Sequence, residues 1–167
     1  MAEAKASEGW RAIHPVVLHS ARTAVAAAAS LLLARLLRLP EAYWASITTL
    51  VVMQSTLGAA LTVSGERFAG TALGALAGAV MGAYAAANAA VFAAAIFLLG
   101  LLCALLRLDR SAYRFAGITL AIVTLVPRTR PAWILATHRF VEVSVGIAVG
   151  LLLTAVWPER TAVPGSN

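Results

Sequence analysis

The stretch ERFAGTALGALAGAVMG, residues 66–82, decides the fold that we predict for this chain. Its glycines recur at every fourth position, and residues four apart share one face of an α-helix. They are Gly70, Gly74, Gly78 and Gly82. After Arg67 no charged residue occurs until Arg107, which indicates helices that lie in lipid. A glycine face lets a neighbouring helix approach closely, and close contact is the main attraction between helices in a bilayer.

The composition places the chain among proteins that cross a membrane several times. Hydrophobic residues make up 61% of its 167 residues and charged residues only 12%. The net charge of +6 comes from arginines that stand between apolar runs, where they act as determinants of membrane topology. We therefore do not expect a nucleic acid as a partner, and we expect the lipid bilayer as one.

Six apolar segments are long enough, or nearly so, to cross the bilayer as helices. They cover residues 16–37, 43–63, 66–85, 89–106, 111–126 and 137–157. Residues 1–15 are expected to form an interfacial segment, residues 16–158 the six-helix transmembrane domain, and residues 159–167 a C-terminal tail. Lys and Arg are more numerous on the side of the two termini, which favours a cytoplasmic location for both.

The two halves of the chain resemble each other. ERFAGTALGALAG at 66–78 is similar to HRFVEVSVGIAVG at 138–150, with an offset of 72 residues. AYWASITTLVVM at 42–53 is similar to AYRFAGITLAIVT at 112–124, with an offset of 70 to 71. Because each unit holds three spans, the second copy would be inverted, a design that recurs in transporters. We predict an all-α fold of two inverted three-helix repeats.

Glu142 is the charged residue deepest within a predicted span. It follows Arg139 by three residues, so the two can pair on one helix face, which continues through Gly146 and Gly150. An ionisable group inside a membrane indicates function, because an isolated charge is costly there. Arg139 could bind a carboxylate substrate, and Glu142 could carry a proton. A structural ion pair that fixes helix packing explains the pattern equally well.

Other polar residues carry weaker signals. Glu66 and Arg67 stand at a predicted helix start, where an interfacial location is favoured, and Arg22 is expected to extend to the membrane surface. Gln54 is a better functional candidate than the neighbouring hydroxyls, which can bond to their own helix. The sequence contains no metal-binding spacing, cofactor motif or nucleophile–base arrangement, so we predict neither a cofactor, a metal site nor an enzyme.

Residues 40–78 resemble the fusaric acid resistance (FUSC) and aromatic acid exporter family. The resemblance is carried by Tyr43-Trp44, by Ile47-Thr48-Thr49, and by Arg67 followed by Gly70-Thr71 and Gly74. It implies an inner-membrane protein that exports aromatic carboxylic acids or other organic anions, driven by protons. It also implies kinship with plant aluminium-activated malate transporters, which are dimeric anion channels. Full-length exporters contain two six-span units, so the resemblance implies that two copies of this chain assemble.

Together these observations predict a transporter of a small organic anion, with no catalytic residues. The predicted substrate-binding residues are Arg67, Arg139, Gln54, Thr48 and Trp44; the proton-coupling residues are Glu142 and Glu66; and the helix-packing residues are Gly70, Gly74, Gly78, Gly82, Gly146 and Gly150. A passive organic-anion channel and a non-transporting membrane scaffold are the alternatives. The channel predicts anion current without proton coupling, and the scaffold predicts arginines that face headgroups or partner helices.

Overall fold

The computed structural model describes residues 2–84, 88–127 and 130–158, and all regular structure in these ranges is helical. The all-α prediction is therefore confirmed. The six helices are α1 (Ala2–Leu36), α2 (Tyr43–Val52), α3 (Leu57–Tyr84), α4 (Ala89–Leu105), α5 (Arg110–Leu125) and α6 (Ala132–Val156).

The first helix of each half ends in the same way. Arg38 after α1 and Arg107 after α4 both adopt the left-handed conformation, with φ of 55°. The amide of the following residue, Leu39 or Leu108, donates to a carbonyl five residues back. This is the hydrogen-bond pattern of a Schellman motif, which satisfies the free carbonyls of a helix end and reverses the chain. Each half therefore begins with two antiparallel helices.

The second predicted span, residues 43–63, is wrong as one helix. The helix α2 ends at Val52, and Met53 adopts an extended conformation. The hydroxyl of Thr56 then accepts a hydrogen bond from the amide of Ala59 at 3.3 Å, which caps the start of α3. Arg22 donates to the carbonyl of Gln54 at 2.6 Å, inside the break. With ten residues, α2 is only about 15 Å long, half the thickness of a bilayer core.

The third span begins earlier than predicted, and so does the sixth. Because α3 starts at Leu57, Glu66 and Arg67 lie well inside a helix rather than at its end. The helix α6 starts at Ala132, directly after Pro131, a residue that suits a helix start. Asn88 caps α4, since its side chain accepts a hydrogen bond from the amide of Ala90 at 2.9 Å.

Two helical segments are long and apolar enough to cross a membrane by length and composition, Val16–Leu36 and Ala132–Val156. The crossing by the other four helices stays a prediction. The helix α1 runs without interruption through Pro15, and the interfacial role of residues 1–15 also stays a prediction. The tail 159–167 lies outside the described residues.

The predicted glycine face of α3 packs against α5. A Cβ atom built on Gly70 or Gly74 would collide with the carbonyl oxygen of Ala112 or Ala116, respectively. A Cβ on Gly78 would lie 2.8 Å from that of Val123. Only a residue without a side chain allows this approach of two backbones. Gly82 is half-buried near the end of α3, and its packing role stays a prediction.

The glycines of α6 are in contact with α2 in the same way. A Cβ atom on Gly146 would collide with the carbonyl oxygen of Ala45, and it would lie 2.7 Å from the Cβ of Thr48. A Cβ on Gly150 would lie 3.1 Å from Val52. The hydroxyl of Thr49 also donates to the carbonyl of Gly146 at 3.0 Å. The helix α3 therefore packs against α5 of the second half, and α6 packs against α2 of the first half.

The two long helices α3 and α6 run antiparallel and cross near their phenylalanines. The rings of Phe68 and Phe140 lie 5.0 Å apart, centroid to centroid, while Ala75 of α3 clusters with Ala132 and Ala136 of α6. Arg67 and Arg139 are the residues directly before these phenylalanines. Both arginines therefore lie at the level of the crossing.

We expect Gly74→Ala to destabilise the protein by about 1–3 kcal/mol, because the added methyl group collides with the backbone of α5. Gly65→Ala is the matched control on the same helix, since a Cβ there meets nothing within 4 Å. That control should leave stability unchanged or slightly raised, because alanine favours the helix. Thermal unfolding in detergent measures both variants, and equal midpoints would contradict the close packing of α3 against α5.

Candidate functional site

Three ionisable side chains meet where the start of α2 contacts α6. Nη1 of Arg139 lies 3.2 Å from a carboxylate oxygen of Glu142, and Nη2 of the same guanidinium forms a closer ion pair with Glu41. The amide of Glu41 also donates to Glu142 at 3.0 Å. Arg139 is 3% exposed and Glu142 1% exposed. The predicted pair of Arg139 and Glu142 is present. We call Glu41, Arg139 and Glu142 together the acidic cluster.

Glu41 is the member of the acidic cluster that the sequence reasoning missed. Its Oε2 accepts from the hydroxyl of Tyr43 at 3.0 Å and from the indole of Trp44 at 3.1 Å, besides Arg139. The guanidinium of Arg139 stacks on the Trp44 ring at 4.2 Å. Glu41 lies in the turn directly before α2. Its one sequence signal is the spacing of three residues to Trp44.

Arg67 occupies a different environment, between α2, α3 and α5. It is 6% exposed, and its Nη2 lies 3.4 Å from the hydroxyl of Thr48. Its guanidinium stacks on the ring of Phe115 at 4.6 Å. Among the described residues it has no carboxylate within ion-pair distance, and its Nε has no hydrogen-bond partner. Arg67 is therefore a buried positive charge whose neighbours in the described chain do not balance it.

The helix α2 brings most of the predicted site residues together. Trp44 and Thr48 are four residues apart on one face of α2, where Trp44 contacts Arg139 and Thr48 contacts Arg67. The two arginines, Glu142, Trp44 and Thr48 thus form one continuous group. A separate cluster of three metal-ligating side chains is absent from the part of the chain that the structure describes.

Two predicted site residues lie elsewhere. Glu66 accepts a short hydrogen bond from Ser111 at the start of α5. Gln54 lies in the break after α2, and its side chain donates to the carbonyl of Val51 at 3.3 Å. The structure therefore does not bring the side chain of Gln54 to Arg67 or Arg139.

Arg22 is buried within the protein, whereas we predicted a side chain that extends outward to the membrane surface. It is fully buried, and its guanidinium donates to the carbonyls of Gln54 and of Trp157, the latter at 2.8 Å. These carbonyls belong to the break after α2 and to the end of α6. Arg22 therefore links α1 to the backbone that follows α2 and to the backbone that follows α6, where carbonyls lack helical partners. No spacing within the sequence indicates this link.

Two cavities lie beside the group that Arg67, Arg139, Glu142, Trp44 and Thr48 form. One of about 220 Å³ is lined by Glu41, Arg130 and His138 and lies beside the acidic cluster. The other, of about 310 Å³, is a largely open cavity between α3 and α6, lined mainly by apolar side chains, among them Leu76, Trp133 and Phe140. Leu76 and Trp133 are 66% and 63% exposed. An apolar cavity near a few placed polar groups is the usual form of a small-molecule site.

An all-helical chain of this apolarity, with charged side chains turned into its interior, is of the helical membrane-protein class. The chain belongs to the fusaric acid resistance protein-like family, which it matches over residues 26–153. It is also 30% identical over 155 residues to inner membrane protein YeeA of Escherichia coli (strain K12). That match covers 88% of this chain but 42% of YeeA, so the chain spans less than half of this relative. No solved structure matches the chain.

Replacement of Arg139 and replacement of Arg67 should lower stability by different amounts. Arg139→Gln should destabilise the protein by about 3–5 kcal/mol, because it leaves Glu41 and Glu142 buried without a counter-charge. Arg67→Gln should cost much less, because it removes a charge that no described carboxylate balances. Thermal unfolding of both variants in detergent provides the comparison, and an equal or greater loss for Arg67→Gln would contradict the difference in environment.

Proposed function

We propose that this chain exports aromatic carboxylic acids or other small organic anions across the bacterial inner membrane, coupled to protons. The observation that carries the proposal is the pair of buried arginines at the crossing of α3 and α6. A guanidinium recognises a carboxylate with two parallel hydrogen bonds, and buried charges in membrane helices commonly mark solute pathways. Membership of the fusaric acid resistance protein-like family favours efflux.

The proposed location is the inner membrane, with six crossings and both termini in the cytoplasm. It is supported by the similarity to a protein named for the inner membrane and by two helices that are long enough to span it. The shortness of α2 fits this arrangement, since irregular backbone at membrane depth is tolerated where protein covers it. The break after α2 is such a case, because the buried Arg22 binds its carbonyl.

We also propose that the halves are inverted repeats, on the basis of matching contacts. Gly74 meets Ala116, and Gly146 meets Ala45; the glycines are 72 residues apart and the alanines 71. The same offsets relate the contact of Gly78 with Val123 to that of Gly150 with Val52. They also relate Arg67 on Phe115 to Arg139 on Trp44. A pseudo-twofold axis between Phe68 and Phe140 would account for all three correspondences.

Proton coupling is assigned to the acidic cluster. One guanidinium cannot neutralise two carboxylates, so a proton shared by Glu41 and Glu142 would balance the charge of the cluster. The side chain of Glu41 is 29% exposed and lines the cavity of about 220 Å³, whereas that of Glu142 is 1% exposed. Glu41 therefore offers a route between solvent and Glu142. Glu66 remains a second candidate, although its partner is a serine.

The apolar cavity between α3 and α6 favours an aromatic substrate. Trp133 and Phe140 line it, and its volume of about 310 Å³ is at the lower end for ligand pockets.

Two copies of the chain are proposed to form the transporter, on the family resemblance to exporters with two six-span units. Mass measurement of the detergent-solubilised protein tests this, and a monomer that transports would contradict it.

Flux measurement tests the proposed function. In proteoliposomes we expect labelled benzoate to cross faster when a pH gradient is imposed, and Glu142→Gln should abolish that acceleration because it removes the carboxyl group. Asp109→Asn is the matched control, since Asp109 is an exposed carboxylate outside the acidic cluster. It should transport like the unaltered chain.

The remaining outcomes separate the alternatives. Benzoate flux that follows voltage and ignores the pH gradient would replace the exporter with a passive channel. The absence of flux for benzoate and for aliphatic carboxylates would leave the scaffold. Acceleration retained in Glu142→Gln would contradict coupling through the acidic cluster.

A further inference from the structure

We infer that the carboxylate of the transported anion binds to Arg67 and to one of the two hydroxyls that flank it on α3, those of Ser64 and Thr71, and that Arg139 binds no solute. This inference rests on the proposed function, and it assigns the substrate contact to one of two similar arginines. We name Ser64, Arg67 and Thr71 the donor triad. Its members are three and four residues apart, so they lie along one face of α3.

The hydroxyls of Ser64 and Thr71, like that of Thr23, are buried without a hydrogen-bond partner in the described part of the chain. A helical serine or threonine normally donates to the carbonyl of its own preceding turn. Several in this protein do so, including Thr119, Thr124, Ser144 and Thr154. Ser64 and Thr71 are 4% and 1% exposed, yet among the described residues neither hydroxyl has a hydrogen-bond partner. Buried polar groups are normally bonded, so these donors indicate a ligand.

The third donor, Arg67, adds the positive charge. The carboxylate nearest in sequence is Glu66, but consecutive residues face different sides of a helix, and Glu66 accepts from Ser111 instead. Within the described part of the chain, the guanidinium of Arg67 contacts the hydroxyl of Thr48 and the ring of Phe115, and both are uncharged. A carboxylate beside Arg67 would supply the missing counter-charge and accept from its unpaired Nε.

The equivalent positions of the other half show the opposite chemistry. At the offset of 72, Ser64 and Thr71 correspond to Ala136 and Val143, which are buried and apolar. The position of Glu142 corresponds to Gly70. These substitutions surround Arg67 with donors and no acid, whereas Arg139 has acids and no such donors.

Glu41 completes the comparison. Its equivalent in the second half is Ser111 or Ala112, at the offset of 70 or 71, and neither residue carries a charge. Among the described residues, carboxylates therefore balance the charge of Arg139 and none balances that of Arg67, although the Nε of each guanidinium lacks a hydrogen-bond partner. A merely structural arginine would need the acids that Arg139 has, because an unbalanced buried charge is costly. Of the two corresponding arginines, Arg139 thus has its charge balanced within the described chain, whereas Arg67 would gain a counter-charge from a bound anion.

Binding to purified protein in nanodiscs of neutral phosphatidylcholine tests the assignment separately from transport. Benzoate should raise the thermal midpoint of the unaltered chain in a saturable manner, whereas neutral benzamide should not. Ser64→Ala/Thr71→Val, which installs the equivalent residues of the other half, should weaken benzoate binding about tenfold, the effect of losing one hydrogen bond to a charged group. Arg67→Gln should abolish the shift.

Arg114→Gln is the control for the loss of one positive charge, since Arg114 is exposed on α5. It should bind benzoate like the unaltered chain. Unchanged binding in Arg67→Gln or in the double variant would overturn the donor triad, and so would no response to benzoate, malate or chloride in the unaltered chain. A shift produced by anionic phosphatidylglycerol alone would assign Arg67 to a lipid headgroup and overturn the solute site. Binding without flux would leave the donor triad standing and remove the proposed transport.

Discussion

The approach of two backbones at Gly74 and Gly146 is the constraint on which the rest of the structure depends. At each glycine the carbonyl of an alanine on a short helix occupies the space that a side chain would need. In lipid there is no hydrophobic force between helices, so contact area and backbone proximity decide which helices pair. The glycines therefore select α5 as the partner of α3 and α2 as the partner of α6.

This selection determines what faces the buried arginines. With α2 seated on Gly146, Trp44 lies over Arg139 and Thr48 reaches Arg67. The same seating brings the amide of Glu41 to Glu142, because Glu41 directly precedes α2. A side chain at Gly146 would displace α2 and separate these groups. Packing and electrostatics are thus set by the same few positions.

The sequence predicted well what depends on residues close together along the chain. The glycine spacing and the pair of Arg139 and Glu142 both follow from local geometry. The break after α2 escaped prediction because its apolar flanks resemble one long span, and the distant Arg22 is what binds it. Glu41 escaped for a similar reason, since its partner Arg139 is 98 residues away. No periodic pattern encodes contacts of that kind.

The uneven distribution of charge between the halves argues against a purely structural role for both arginines. Arg67, Arg139, Glu41 and Glu142 sum to zero, so an arrangement with one acid beside each arginine was available to this set of residues. The structure instead places both acids at Arg139. In a medium of low polarity, separating charge in this way costs free energy that helix packing alone does not require. A solute carboxylate at Arg67 and a proton in the acidic cluster would each reduce that cost, and because both act through the face of α2, occupancy of one site would favour occupancy of the other.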